Sequence, residues 1–396
     1  MEVKRELEDW FEGWMLYMSN SESPTIYNKW VAVSMIAAAI ERKAHIQWDK
    51  KVYTNFYIVL VGPPGCRKGT AMWPAREILE DINIKIAADA TTREALIRNL
   101  KEASDNFEAI DGQIHSYAAM TVFSEELTVF LGYDNKQLMQ DMSDWYDCKN
   151  HWKYETKHQG IDAIDRVYVN LCGATTPQLL QESLPMESFG GGLNSRIIYV
   201  FADKRERLVI FPFALEGQDE LREKLSRDLQ AIRLASGEFK ADESFLRKWA
   251  DWYPQQGQIE LAKDARMAGY IERRQTHLLK LSMILNVSRA GNMLLTVQDF
   301  DRSLELLSET ERRMGKTFAG VGKSSAAATT HRVLQFVKLH ERVLYADLLK
   351  TFYNDADDKS MSVIVSTLER ARLVSFDRSE SKGFRDFYVV YTAGSD

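Results

Sequence analysis

The sequence predicts an α/β fold: a mostly parallel sheet around a phosphate-loop core, with a helical N-terminal segment, a helical lid and a C-terminal winged helix. Three observations predict it. Apolar, strand-like runs alternate with helical spacing from "NFYIVLVG" to "SRIIYVFA", the pattern of a parallel sheet covered by helices. The first of these runs feeds "VGPPGCRKGTA" (Val61–Ala71), a Gly/Pro turn leading into a helix. The tail, residues 331–392, reads as three helices and a β-ribbon. The expected divisions are 1–50 for the N-terminal helices, 51–213 for the core, 214–314 for the lid, 315–330 for a linker and 331–396 for the winged helix.

A chain of 396 residues is long enough for two or three domains. Its 45% hydrophobic and 27% charged content is a globular balance that excludes wholesale disorder. A net charge of −6 argues against a protein that coats nucleic acid with its whole surface, so any such contact must come from a local patch. Cys66, Cys148 and Cys172 show neither paired spacing nor a metal-ligand cluster, which points to a reduced, cytoplasmic chain. The opening "MEVKRELEDWFEGW" is too acidic for a secretory signal. The longest apolar run, Trp30–Ile40, is too short to span a bilayer and reads as a buried helix. A soluble protein without membrane contact is expected.

In order along the chain, Trp10 and Trp14 lie one helical turn apart, and Pro24 marks the start of the next helix within a helical first 50 residues. "NFYIVLVG" is a buried strand ending in a tight turn. "AMWPAREILEDI" has helical spacing, and Pro74 predicts that its helix begins or kinks nearby. "TTREALIRNLKEA" is an amphipathic helix with a Thr cap. The strand "SYAAMTVFSEEL" ends in Glu125 and Glu126, and "DRVYVNLCGATTP" ends in Thr175, Thr176 and Pro177. A last strand, "SRIIYVFA", follows the turn "FGGGLN". In open parallel sheets ligands bind at the carboxyl ends of the strands, and the loop, the acid pair and the threonine pair all fall there. Residues 215–314 read as helical, and the aperiodic "GKTFAGVGKSSAAATT" (Gly315–Thr330) as a linker.

The loop compares imperfectly with G-x-x-x-x-G-K-[ST], whose backbone N–H groups cradle phosphates. Gly62 and Lys68 have the right separation, but Arg67 replaces the second glycine, Gly69 stands where Ser or Thr belongs, and Thr70 arrives one residue late. Hydrolysis of a nucleotide needs a cradle, a lysine, a magnesium ligand, a water-activating carboxylate and a positive group for developing charge. The expected cradle is Gly62, Pro63, Pro64, Gly65, Cys66, Arg67, Lys68, Gly69 and Thr70, with Lys68 on the β- and γ-phosphates and Thr70 on Mg²⁺. Glu125 would hold Mg²⁺ through water and Glu126 would polarise the attacking water; an acidic helix cap is the other reading of this pair. Thr175 and Thr176 would orient that water or form a turn before Pro177. Arg196, after the glycine turn, is expected to be a finger in a neighbour's site, with a surface arginine opening a strand as the alternative. ATP and Mg²⁺ are the expected cofactors.

The ordered set "GPPGCRKGTA", "FSEEL", "GATTPQLL" and "GGGLNSRIIYVF" resembles the P-loop ATPase domain of phage and prophage replication proteins. This helicase group carries a G-P-x-G-x-R-K phosphate loop and is similar to superfamily 3 helicases and other AAA+ rings. The resemblance runs from Glu22 to Arg313 and includes "ESPTIYNKWVAVSMIAAAIERK". In the group an arginine before the lysine is normal. The chain departs at Gly69, where the group often has Ser, and at Glu125, where many relatives have Asp, and both departures bear on the magnesium contacts. "RRQTHLLKLS" looks like the sensor-two helix of ring ATPases, which implies Arg273 against the γ-phosphate of its own or a neighbouring site; Arg274, or a solvated basic face, is the alternative.

The resemblance implies a hexameric, ATP-driven DNA motor, a phage-type replicative helicase with single-stranded DNA in its pore and replication proteins as partners. A helicase loader or protein-remodelling ATPase, and a nucleotide-switched regulator or defence ATPase, are the alternatives. Residues 132–160 interleave aromatics with Lys149, Lys153, Lys157 and His158, which suits stacking on a single strand, or else forms a surface helix and hairpin. In the winged helix, Arg370 and Arg372 are expected on the third helix and Arg378, Lys382 and Arg385 on the wing. Glu369, Asp377, Glu380 and Asp386 interleave with them, so both DNA and protein docking stay open.

Overall fold

A computed structural model describes residues 5–108, 112–132, 135–156, 160–183, 192–211, 216–289, 292–318, 325–353, 355–379 and 387–392. The fold is α/β, and the chain divides into two compact units, Met1–Ala319 and Gly320–Asp396.

The first unit opens with helix α1 (Trp10–Tyr17), capped by the Asp9 carboxylate, and helix α2 (Thr25–Ile40), which starts directly after Pro24. Trp10 and Trp14 stack within 6.1 Å and are fully buried, so their one-turn spacing serves the core. The run Trp30–Ile40 is buried all round, as its small and β-branched side chains allow. The helical reading of the first 50 residues is corrected at its end. Ala44–Gln47 is strand β1, whose burial alternates with a period of two, and it pairs antiparallel with β2 (Lys51–Tyr53).

Strand β3 (Tyr57–Val61) is buried at every position, as a parallel strand covered on both faces must be. Helix α3 (Lys68–Asp81) follows the loop, starting six residues earlier than Pro74 predicts. Pro74 lies inside this helix, at the cost of the bond to the carbonyl one turn back and of a ring clash with that carbonyl. Next come α4 (Arg93–Glu102), β4 (Ser104–Glu108), β5 (Ile114–Ser124), α5 (Leu127–Leu131) and α6 (Lys136–Tyr146). The hairpin β6 (His151–Thr156) and β7 (Gly160–Asp165) leads into β8 (Val167–Thr175), α7 (Pro177–Ser183) and β9 (Ile197–Phe201).

The five-stranded sheet has the order β4-β5-β8-β3-β9. β5, β8, β3 and β9 run parallel, and β4 lies antiparallel to β5. The register pairs Val61 with both Thr175 and Phe201, and Ser124 with Gly173. Four strand ends therefore share one edge of the sheet.

Helix α8 (Gln218–Arg233), β10 (Gly237–Ala241), α9 (Glu243–Trp252), α10 (Ala268–Arg289), β11 (Leu294–Leu295) and α11 (Val297–Met314) complete this unit. The region expected to be helical thus holds two short strands. They extend a second sheet of order β11-β10-β1-β2, which joins this region to the N-terminal segment. The expected linker is also corrected. Gly315–Phe318 is a 3-10 turn with Thr317 and Phe318 buried, and the alanines of Ser325–Thr330 already belong to a helix; residues 319–324 lie outside the described residues.

The second unit contains α12 (Ser325–His340), β12 (Arg342–Leu344), α13 (Tyr345–Thr351), α14 (Asp358–Arg370), β13 (Val374–Asp377) and β14 (Tyr388–Tyr391). Its antiparallel sheet has the order β12-β14-β13 and covers a core of Val337, Leu348, Ile364, Leu368 and Val389. Arg372 is not on the third helix: it follows the end of α14 with φ +58°, in the turn that reverses the chain into β13. Lys382 and Arg385 lie outside the described residues, as do Glu380 and Asp386. Among the described residues no helix is long and apolar enough to cross a membrane.

Candidate functional site

The loop after β3 is tied down from behind. The Tyr27 hydroxyl donates to the Val61 carbonyl (2.7 Å), and the Gly62 N–H donates to the Thr175 carbonyl (3.3 Å). A Cβ on Gly62 would lie 2.5 Å from the Tyr27 hydroxyl and 2.6 Å from the Ala202 carbonyl oxygen, so no side chain fits there. Gly65 and Arg67 take left-handed φ values of +81° and +61°, which turn the chain into α3. Cys66 packs behind the loop, and burial pushes its thiol pKa up.

Lys68, the first residue of α3, folds back over the loop. Its Nζ donates to the carbonyls of Gly62 (2.6 Å) and Pro63 (3.1 Å). It has no carboxylate partner among the described residues, and burial lowers its pKa. An ammonium held only by carbonyls, at the N-terminus of a 14-residue helix, makes a positive concavity for an anion.

Glu125 and Glu126 arrive at the same edge from β5. Glu126 is the N-cap residue of α5, the position the helix-cap reading of the pair requires, although its side chain makes no capping hydrogen bond. The Glu125 carboxylate lies against the α-carbon of Gly69, where an added Cβ would stand 2.5 Å from Oε2. Thr175 is buried, with its hydroxyl donating to the Thr176 carbonyl (3.4 Å). The Thr176 hydroxyl accepts from the Leu179 N–H (3.3 Å) and caps α7.

Arg67, Gly69, Thr70, Trp73 and Glu125 line a cleft of about 890 Å³. A second hollow of about 500 Å³ adjoins the loop at Ala202 and is lined by Thr25, Asp203, Arg205, Glu309 and Arg313. Among the described residues no three His, Cys, Asp or Glu side chains gather as a metal site. A cation here would therefore complete its shell with ligand phosphates and water, as Mg²⁺ commonly does.

Glu22 was not visible as a site residue in the sequence, although it opens the "ESPTIYNKW" stretch. Its carboxylate takes Arg67 Nε at 2.6 Å and Arg205 at 3.4 Å, and accepts the Val209 N–H at 3.2 Å. That backbone bond, with the two arginines, holds its pKa below the usual carboxylate range. Arg67 is thus a staple between the loop and the 205–209 segment rather than a free charge aimed into the cradle.

Arg196 and Arg273 stand elsewhere. The register of Ile197 with Tyr57 puts Arg196 at the amino end of β9, at the sheet edge opposite the loop. It is only 9% exposed, and it donates to Asp147 (2.5 Å) and the Gly192 carbonyl (2.7 Å). Arg273 reaches the Ser195 hydroxyl (3.1 Å) and the same Asp147 (3.4 Å). The expectation of Arg273 against this chain's own phosphate site is therefore corrected: α10 delivers it to the amino edge. Arg274, the alternative, is buried in a two-pronged pair with Glu311 at 2.6 and 2.8 Å. Burial would raise the Asp147 pKa, but Arg196 and Arg273 together hold it below its ordinary value. One and two turns further along α10, burial pushes His277 down to about 3 and Lys280 down to about 7. Lys280 is bound by the Asn55 carbonyl and side-chain oxygens. Asp147 carried no signal in the sequence.

The stacking role expected of residues 132–160 is not met by their described aromatics; Tyr133 lies outside the described residues. Trp145, Tyr146 and Trp152 are buried in the fold, and Tyr154 lies under Arg93 at 4.4 Å. The segment forms α6 and the β6–β7 hairpin, with Lys149 paired to Asp144 and with Lys157 and His158 outside the described residues. No protein-family model matches the chain, and no curated protein matches it.

Proposed function

We propose that the first unit is a P-loop ATPase core and that the chain is a ring-forming, ATP-driven motor on DNA, of the phage replicative helicase kind. The observation that carries the ATPase reading is the placement of Lys68. It lies folded over a strand–turn–helix loop at the edge shared by Glu125, Glu126 and Thr175. In this reading the loop N–H groups and Lys68 hold the β- and γ-phosphates, Glu126 polarises the attacking water, and Thr175 orients it. Glu125, without an ion-pair partner among the described residues, fits a cation site beside Thr70 in the same cleft. Bound Mg²⁺ would neutralise phosphate charge during transfer. The hollow beside Ala202 has room for the base and ribose.

The DNA and ring parts rest on the family resemblance and on the second unit, read as a winged helix, in which Arg370 ends the third helix and Arg378 follows β13. A trans-acting Arg196 would have to leave Asp147 on assembly. The burial of Trp145, Tyr146 and Trp152 favours a second reading, an ATPase that remodels a protein partner or loads a helicase. The test is ATP hydrolysis with and without single-stranded DNA, for the intact chain and for Lys68→Ala. DNA stimulation abolished by the substitution supports the motor. Hydrolysis indifferent to DNA moves the reading to protein remodelling, and an intact chain that neither binds nor hydrolyses nucleotide overturns both.

A further inference from the structure

The two positions at which this chain departs from the group it resembles, Gly69 and Glu125, touch each other. Gly69 lacks the hydroxymethyl group that the pattern places after the lysine. Glu125 is one methylene longer than the aspartate that usually ends the acidic strand. In the fold, Glu125 Oε2 stands 2.5 Å from where a Cβ on Gly69 would be, and Glu125 Cδ stands 3.4 Å from it. The longer acid occupies the space of the missing side chain. A serine at position 69 and the glutamate at position 125 cannot both keep these places.

We propose that Gly69 and Glu125 form one compensated pair, in which the Glu125 carboxylate takes the place of the absent hydroxyl as the direct protein ligand of the nucleotide-bound magnesium. This rests on the ATPase reading above and deepens it. Thr70 does not replace the hydroxyl, because one step along an α-helix turns a side chain by about 100°, away from the direction Gly69 faces. The Glu125 carboxylate, by contrast, already lies against Gly69. The chemistry agrees: magnesium prefers anionic oxygen and is commonly held by one or two carboxylates plus substrate phosphates. A direct carboxylate ligand leaves Glu126, whose side chain makes no capping bond, as the group for the attacking water.

The experiment is equilibrium titration of a fluorescent ADP analogue, in EDTA and in Mg²⁺, for the full-length chain and for Gly69→Ser, Glu125→Asp, the double variant Gly69→Ser/Glu125→Asp, and Thr70→Ala. In EDTA each titration gives that chain's metal-free affinity, and the magnesium-dependent gain is read as the ratio to it. In Mg²⁺ each single change at 69 or 125 should lose about tenfold of the magnesium-dependent gain, and the double variant should regain it to within about threefold, a coupling expected of residues in contact. Thr70→Ala should keep the gain. The pairing is overturned if Gly69→Ser increases the magnesium-dependent gain, if the double variant is no better than the singles, or if Thr70→Ala alone abolishes the gain. An intact chain that binds no nucleotide in either condition overturns the ATPase reading as well, and so separates the two failures.

Discussion

The two edges of the central sheet use charge in opposite ways. At the carboxyl edge, Lys68 rests on backbone carbonyls while Glu125 and Glu126 stand without a cation among the described residues. At the amino edge, Arg196 and Arg273 converge on Asp147, and Lys280 is wrapped by Asn55. The loop that forms the first edge is fixed from behind: Gly62 admits no side chain, its N–H is taken by the Thr175 carbonyl, and Gly65 has the left-handed φ that turns the chain toward α3. The second edge is covered by α10, so its charges must find partners inside the fold. Charges left unpaired where solvent or ligand can reach them mark a site, and charges paired under a helix hold the fold.

The largest expected effect breaks the first edge. Lys68→Ala should lower ATP hydrolysis by about a hundredfold or more while leaving the thermal midpoint nearly unchanged, because the lysine has no carboxylate partner among the described residues to leave uncompensated. A midpoint that falls with activity would make Lys68 a structural residue. The second effect breaks the other edge. Asp147→Asn should cost about 2 kcal/mol in urea denaturation by leaving two arginines short of a counter-charge, less than a fully buried pair because the Asp147 side chain keeps 29% of its exposure. If stability holds and only DNA-dependent hydrolysis changes, Arg196 works across a subunit boundary and Asp147 merely parks it.

A third, smaller effect is set by pH at the same edge. Burial depresses the folded pKa of His277 to about 3, so the unfolded chain takes up the proton first as pH falls. Its contribution is intact above the ordinary histidine pKa and is lost between there and the folded value. Acidification from about pH 7 to 5 should therefore cost on the order of 1–2 kcal/mol. That part of the loss should vanish in His277→Phe, read from urea midpoints at the two pH values. The smallest effect tests the staple: Glu22→Gln should leave nucleotide affinity within about twofold, since exposed pairs contribute little. A larger loss would mean that Arg67, once released, interferes with the cradle.

How much of this could be read from residues alone varied with distance along the chain. The strand–turn–helix around Lys68 was legible because β3, the loop and α3 are contiguous and each has a local signature: an apolar run, Gly/Pro punctuation and helical spacing. The placement of Glu125, Glu126 and Thr175 at strand ends followed from the same alternation. Of the two readings of Pro74, a helix start there fails, because the rest of α3 outweighs the ~3 kcal/mol of proline's lost bond and ring clash. Trp145 and Trp152 read as stacking groups because aromatic residues have the same local signature on a surface and in a core.

By itself, then, the amino-acid sequence determined the long elements of the core and which chemistry-bearing residues end them, since both depend on neighbours a few positions apart. The short strands β1, β10 and β11 lack such a local signature. Which of those residues remain free was decided only by tertiary structure. Asp147 meets Arg273 across 126 positions, Arg67 meets Glu22 across 45, and Glu125 comes to lie against Gly69 from another strand. Such pairings follow from strand order and register, which the whole core selects at once through burial, and no local periodicity encodes them.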